Sequence, residues 1–389
     1  MATLLLLIIY VGFVSIGVPD SLFGASWPAV FPEFGVDSAW GGVIPVVCTC
    51  GTFVSSLFSG RLLSRFGTYR VTVFSAFLTA LVLFCMSFTE SFVPMLLLCI
   101  PLGLGSGAVD SGLNGYVALH YSARQMNFLH SCYGIGVMIS PALVSFALVA
   151  AGTWSAGFRW VSLLQTGIAA VLLFSFPLWR KTVRGAEEEK VVSLGFFEMA
   201  KTRGVKGAWV LFGFACALEF TVGTWGTTYL VGAHDLSASL GALLVTFYYA
   251  GIASGRFVAG LLAKRVGAKY LVFGGSAVVA LAIAALFLPL SGVSSAVVLF
   301  FIGAGLGPVY PNLMHLCPVI FGRERSQSLT GSFLAAASLG IISAPSLFGL
   351  VSSVFGIGAL PFFAAGIFLV FLLVLPKSVF ATDKGKDCT

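Results

Sequence analysis

Three carboxylates stand where an apolar chain should tolerate none. Asp20, Asp110 and Glu219 each lie inside a long hydrophobic run. A charge at the centre of a bilayer costs about 2.5–3.5 kcal/mol on insertion scales, so such a residue persists when it faces a watery cavity, pairs with a cation or carries a proton. The competing reading is a structural acid satisfied by a buried donor. The residues around each acid suit a polar cargo. Asn114 follows Asp110 at i+4 and shares its helical face, and Gly103, Gly105 and Gly107 before it let a neighbouring helix come close. Acid and amide together can orient sugar hydroxyls or offer oxygen ligands to a small cation. Pro19 removes a backbone donor beside Asp20 and opens the helix there, with Trp27 further along on the same side.

Other side chains extend the pattern. Asn127, His130 and Gly134 form one stripe; His130 either binds cargo or carries a proton, or is merely satisfied by a neighbour. Trp225 and Tyr229, at i+4, either stack on a pyranose ring or belong to an interfacial aromatic belt. Gly303, Gly305, Gly307, Pro308 and Pro311 before Asn312 predict a broken helix lining a cavity. Arg256 is the one base well inside a span and reads as snorkelling to the cytoplasmic surface.

The elements that must hold these residues are membrane helices. Of 389 residues 58% are hydrophobic and only 9% charged, where a soluble chain carries roughly a quarter. Mean hydropathy is +1.03. A span needs about 20 apolar residues, and twelve segments qualify, at 3–28, 38–63, 69–89, 92–120, 126–151, 158–179, 207–232, 237–263, 268–290, 292–320, 325–353 and 356–376. The expected fold is therefore all-α, with a six-helix bundle at 1–179, a cytoplasmic linker at 180–206, a second bundle at 207–376 and a cytoplasmic tail at 377–389. All of the 21 lysines and arginines except Arg159 and Arg256 fall in or beside loops on one side, which predicts that side, and both termini, to be cytoplasmic. The net charge of +7 is spent on these clusters, which speaks against a nucleic-acid partner. The apolar start is too long for a secretory signal and reads as the first span. Of the eight cysteines none forms a CxxC pair, so neither zinc nor a disulfide framework is indicated.

The chain also repeats itself. Gly51 to Gly67 recurs from Gly251 to Gly267, with Gly60, Arg65 and Gly67 matched by Gly260, Arg265 and Gly267. A repeat at half the chain length in so apolar a sequence means two similar bundles, the architecture of a secondary transporter. These six residues are read as gate and helix-end braces in cytoplasmic loops rather than cargo contacts. The loop resembles the hallmark Gly-x-x-x-Asp-Arg/Lys-x-Gly-x-Arg/Lys-Arg/Lys of the major facilitator superfamily, with Ser64 and Lys264 standing where the acid is expected. Within it the chain resembles the fucose-permease type, and more closely its sodium-dependent glucose transporter-like branch. The likeness rests on Asp110-Ser111-Gly112-Leu113-Asn114; on Asn127-Phe128-Leu129-His130 with Gly134, Gly136, Ser140 and Pro141; on Glu219, Gly223, Thr224, Trp225 and Tyr229; and on Asp20. It implies uptake of a monosaccharide driven by a cation gradient, with Asp20 and Asp110 as coupling or sugar-binding acids.

The expectation is a cation–sugar symporter working by alternating access, coupled to sodium or protons through Asp20, Asp110 and Glu219. Its cargo would be held by Asp20, Trp27, Asp110, Asn114, Asn127, His130, Glu219, Trp225, Tyr229 and Asn312. A proton-coupled efflux antiporter for drugs or other amphipathic compounds is the rival. The chain carries no HExxH, GxSxG or phosphate-binding glycine loop and only four histidines, which argues against an enzyme. No cofactor is expected, and no metal beyond a transported sodium at Asp20 or Asp110. The partners are a small molecule and the lipid bilayer of the cell membrane, and the protein is expected to act as a monomer.

Overall fold

A computed structural model of the chain describes residues 2–120, 123–179 and 196–379. Inside a bilayer every backbone N–H and C=O must find a partner within the protein, which leaves helices as the solution for so apolar a sequence. The helices are α1 (Ala2–Asp20), α2 (Leu22–Glu33), α3 (Val43–Phe66), α4 (Thr68–Met86), α5 (Phe92–His120), α6 (Ala123–Ala150), α7 (Trp154–Phe174), α8 (Phe176–Trp179), α9 (Phe196–Lys201), α10 (Val205–His234), α11 (Ala238–Val266), α12 (Ala268–Ala285), α13 (Gly292–Leu306), α14 (Val309–Phe321), α15 (Arg323–Phe355) and α16 (Leu360–Val379). They make twelve spans among the described residues. α1 with α2, and α13 with α14, each form one span with a break in it. Large apolar side chains such as Phe74, Leu81, Leu281 and Phe362 are exposed on the outside, where lipid would meet them.

Several expected boundaries move. The first span runs on to Glu33 because Pro28 and Pro32 sit inside α2 without ending it. The sixth, expected at 158–179, begins at Trp154 and ends at Phe174, with Ser175 separating it from the short α8. Most of the expected linker, 180–195, and the tail beyond 379 lie outside the described residues. The remainder of the linker holds α9 and the first turn of α10, and α16 extends to Val379.

The half-chain repeat has an atomic counterpart. A Cβ on Gly51 would lie 2.9 Å from the Ile100 carbonyl oxygen, and one on Gly251 would strike the Phe300 carbonyl at the matching place. Likewise Gly103 meets the Cys48 carbonyl and Gly303 that of Tyr248. So α3 against α5, and α11 against α13, are the same glycine-mediated packing built twice, as small residues allow in lipid. Gly67 and Gly267 both sit at φ +78° where one span turns into the next, a conformation glycine adopts without steric penalty.

Between the halves, α6 packs along α11, α2 along α10 and α11, and α15 against α3 and the 3-10 turn Ser38–Gly42 that precedes it. Backbones touch at this seam. A Cβ on Gly24 would lie 2.5 Å from the Gly223 carbonyl oxygen, and one on Gly42 2.9 Å from that of Pro345. The Ser346 hydroxyl donates to the Gly42 carbonyl at 2.8 Å. These contacts close the end of the molecule remote from where α1 begins. Asp20, below the seal, is exposed, so the space between the halves opens towards the end where α1 starts and α16 finishes.

Candidate functional site

The break in the first span is what presents Asp20. Pro19 leaves no amide N–H, and Ser21 separates α1 from α2. The ends of the break are tied to α6: Ser21 Oγ donates to the Val137 carbonyl at 2.6 Å, and the Ser140 hydroxyl donates to the Val18 carbonyl. The carboxylate at the break accepts from Tyr133 Oη at 2.7 Å through Oδ2.

Below the seal lies a cavity of about 300 Å³ between the two halves. Asp20, Trp27, Asp110, His130 and Glu219 line it, so five of the cargo-site residues expected from the sequence come together there. Trp27 forms part of its closed end, donating Nε1 to the Ser38 carbonyl at 2.8 Å and lying over Gly41. His130 stands edge to face with Phe13, ring centroids 5.6 Å apart. Asp110 accepts from Asn114 Nδ2 at 2.9 Å. Asn114 is not itself on the cavity wall; its amide acts on the acid one turn away.

The other expected contacts are placed elsewhere. On α10 the cavity stripe is Cys216, Glu219, Phe220 and Thr224, at helical spacing. Trp225, one residue and about 100° further round, faces away; it is buried and donates Nε1 to the Pro345 carbonyl of α15 at 2.9 Å. Tyr229 is buried against His234, centroids 5.2 Å apart. Asn312 turns back on its own helix and donates Nδ2 to the Pro308 carbonyl at 2.7 Å, satisfying the break between α13 and α14. Tyr310 lines the cavity instead. The Asn127 side chain and the surroundings of Gly60 lie outside the described residues. Arg65 is exposed over Phe66, Arg265 is exposed, and Gly260 lies in α11.

Arg256 requires a correction: it does not snorkel. It is 8% exposed and donates Nη2 to Glu219 Oε1 at 2.9 Å, Glu219 being 12% exposed. It is the one ion pair found among the described residues. The guanidinium also lies over the Tyr133 ring, 5.6 Å from its centroid, and its Nε has no partner. Desolvation makes a lone buried guanidinium expensive, so a carboxylate within hydrogen-bond reach outcompetes a long reach to the surface. Tyr133 and Tyr310 were missed, and Arg256 was noticed but given the wrong role. Tyr133 stands at i+3 from His130, and the one internal base invited pairing with an internal acid.

The wall carries further hydroxyls from Thr49, Thr52, Ser106 and Ser338, but much of it is apolar, with Phe13, Phe23 and Phe220 among the rest. Chemically the cavity offers acids and hydroxyls for a cargo's polar groups, and rings for an apolar face. No group of three or more histidine, cysteine or acidic residues able to hold a metal occurs among the described residues.

A twelve-span molecule with a central cavity open at one end defines a membrane transporter. The family model described as Major Facilitator Superfamily matches residues 9–345. The chain belongs to the Major Facilitator Superfamily. It is 25% identical to Bypass of stop codon protein 6 of Saccharomyces cerevisiae over 90% of this chain and 77% of that protein. It is also 25% identical to the membrane protein MosC of Rhizobium meliloti, over 94% of this chain and 87% of that one. Among solved structures, a mutant of the nucleoside transporter NupG superposes with a TM-score of 0.73 at 12% identity, covering 97% of this chain and 98% of that one. That likeness speaks for the fold alone.

Proposed function

We propose that the protein takes up a monosaccharide of hexose type by cation symport, the two halves rocking about the cavity to expose it to each side in turn. The carrying observation is the cavity itself: carboxylates from both halves, Asp20 and Asp110 on one and Glu219 on the other, border a space of about 300 Å³. A small polyol could donate hydroxyl hydrogens to Asp20 and Asp110, accept from the Thr49 hydroxyl on the wall, and rest an apolar ring face on Trp27. Among the described residues Asp20 and Asp110 have no cation partner, so either can take a proton or a sodium ion as the coupling charge. The resemblance to the fucose-permease type and its glucose transporter-like branch supports the same reading. In this proposal the protein works as a monomer in the cell membrane, with both termini in the cytoplasm.

Uptake of labelled hexoses into vesicles under an imposed sodium or proton gradient tests it. The unaltered protein is expected to accumulate sugar, and Asp110→Asn to abolish accumulation. Undiminished accumulation by the variant would remove the role given to that acid. The rival, efflux of amphipathic compounds, is favoured by the apolar part of the wall; dye extrusion without sugar uptake would establish it instead.

A further inference from the structure

Three charged groups of the cavity and one uncharged phenol form a chain that crosses between the halves, while Asp110 stands apart on Asn114. Tyr133 on α6 donates its hydroxyl to Asp20 at 2.7 Å. The face of the same ring seats the Arg256 guanidinium of α11, and Arg256 in turn holds Glu219 of α10. Asp20 and Tyr133 belong to the first half, Arg256 and Glu219 to the second. Among the described residues Nη2 of Arg256 is on Glu219 and its Nε has no partner, and the guanidinium meets the first half over the ring.

We infer that Tyr133 is a coupling relay, converting the charge on Asp20 into the strength with which α11 is held against α6. An ionised Asp20 draws the phenol proton towards itself, which leaves the ring richer in electrons and a better seat for a guanidinium. A proton or sodium ion on Asp20 cancels that pull, frees the hydroxyl and weakens the seat. The seam there is tight: a Cβ on Gly134, next to Tyr133, would lie 2.9 Å from Ala253 Cα. Loosening the seat therefore acts where the halves touch and releases the seal above it. Asp110 on α5, His130 and Tyr133 on α6, Cys48 on α3, Glu219 and Cys216 on α10, Tyr249 and Arg256 on α11 and Tyr310 on α14 share the cavity and its side chamber with Asp20. Among the described residues α4 and α7 bring no titratable group to that wall. Tyr133 is a positioning residue in this scheme, acting through Arg256. The inference builds on cation-coupled transport, but the relay can be read without any cargo.

Hydrogen-exchange mass spectrometry of the full-length protein in lipid nanodiscs provides the test, following the seal segments 38–45 and 345–352 at neutral and acid pH, with and without sodium, after correction for intrinsic exchange. Neutralising Asp20, by acid or by sodium, is expected to raise exchange at the seal by about fivefold or more, the low end of ordinary site-to-site coupling. Asp20→Asn should hold the raised level under every condition. Tyr133→Phe, which keeps the ring and loses the hydroxyl, should make the response flat. A Tyr133→Phe seal that responds as the unaltered protein does overturns the relay, as does an unaltered protein whose seal ignores both acid and sodium. Parallel hexose uptake keeps the two ideas apart: a flat Tyr133→Phe response without sugar accumulation by the unaltered protein retains the relay and sinks the sugar reading.

Discussion

Arg256 and Glu219 illustrate how a charge survives in an apolar interior. Neither would be stable alone at that depth, and together they satisfy most of each other's desolvation. Removing one partner strands the other. Arg256→Gln is therefore expected to destabilise the protein by about 3–5 kcal/mol, the usual effect of breaking a buried pair, seen as a lowered Tm in detergent. The double variant Arg256→Gln with Glu219→Gln should recover most of that loss, because no unpaired charge remains. A single variant as stable as the parent would mean that water already hydrates the pair. Asn114 acts more gently: its amide donates to Asp110, so Asn114→Ala should weaken gradient-driven uptake without the collapse expected of Asp110→Asn, an ordering that initial uptake rates in vesicles check.

The elements are shaped by where backbone must approach backbone. Within each half the glycines of α3 with α5, and of α11 with α13, let main chains touch, contacts that the proposed rocking would leave intact. At the seam the same device has another consequence, because in the proposed rocking those contacts would open. Gly24 has the Gly223 carbonyl where a side chain would go. Gly24→Val is thus expected to hold the seal apart and favour the state open at that end. The reading is the thiol of Cys48, which lines the cavity: an impermeant maleimide added on the seal side should label it faster in the variant. Equal labelling in variant and parent would show that the seam yields without opening. The breaks at Ser21 and at Gly307–Pro308 were legible as proline and glycine clusters. What Asn312 does at the second was not, since an amide beside a proline reads equally well as a cargo contact or as a cap on the carbonyl it frees.

For the whole molecule, the distribution of lysine and arginine makes the topology testable. Among the described residues almost all of them lie at the end where α1 begins and α16 finishes, with Arg159 at the opposite end against Phe88, 5.0 Å from its ring centroid. Tags at both termini should therefore be cut by protease only from the cytoplasmic side of sealed vesicles. Cleavage of either tag from outside would reverse the orientation. Two halves that resemble one another meet along α6 and α11 and at the seal, around a cavity open at the other end, the arrangement that the proposed rocking requires.

Hydropathy alone determined the twelve spans, because a bilayer forbids unsatisfied backbone and leaves a long apolar run only one conformation. The repeat at Gly51 and Gly251 determined that the bundle would be built twice, and the isolated acids marked where lipid could not be the solvent. Which neighbour each side chain meets was decided by tertiary packing. Trp225 and Thr224 are adjacent in the chain, yet a rotation of about 100° sends one into the packing against α15 and the other to the cavity. Arg256 and Glu219 are 37 positions apart, and their meeting with Tyr133 and Asp20 depends on how two halves dock. That is a property of three-dimensional contact, to which spacing along one helix is blind.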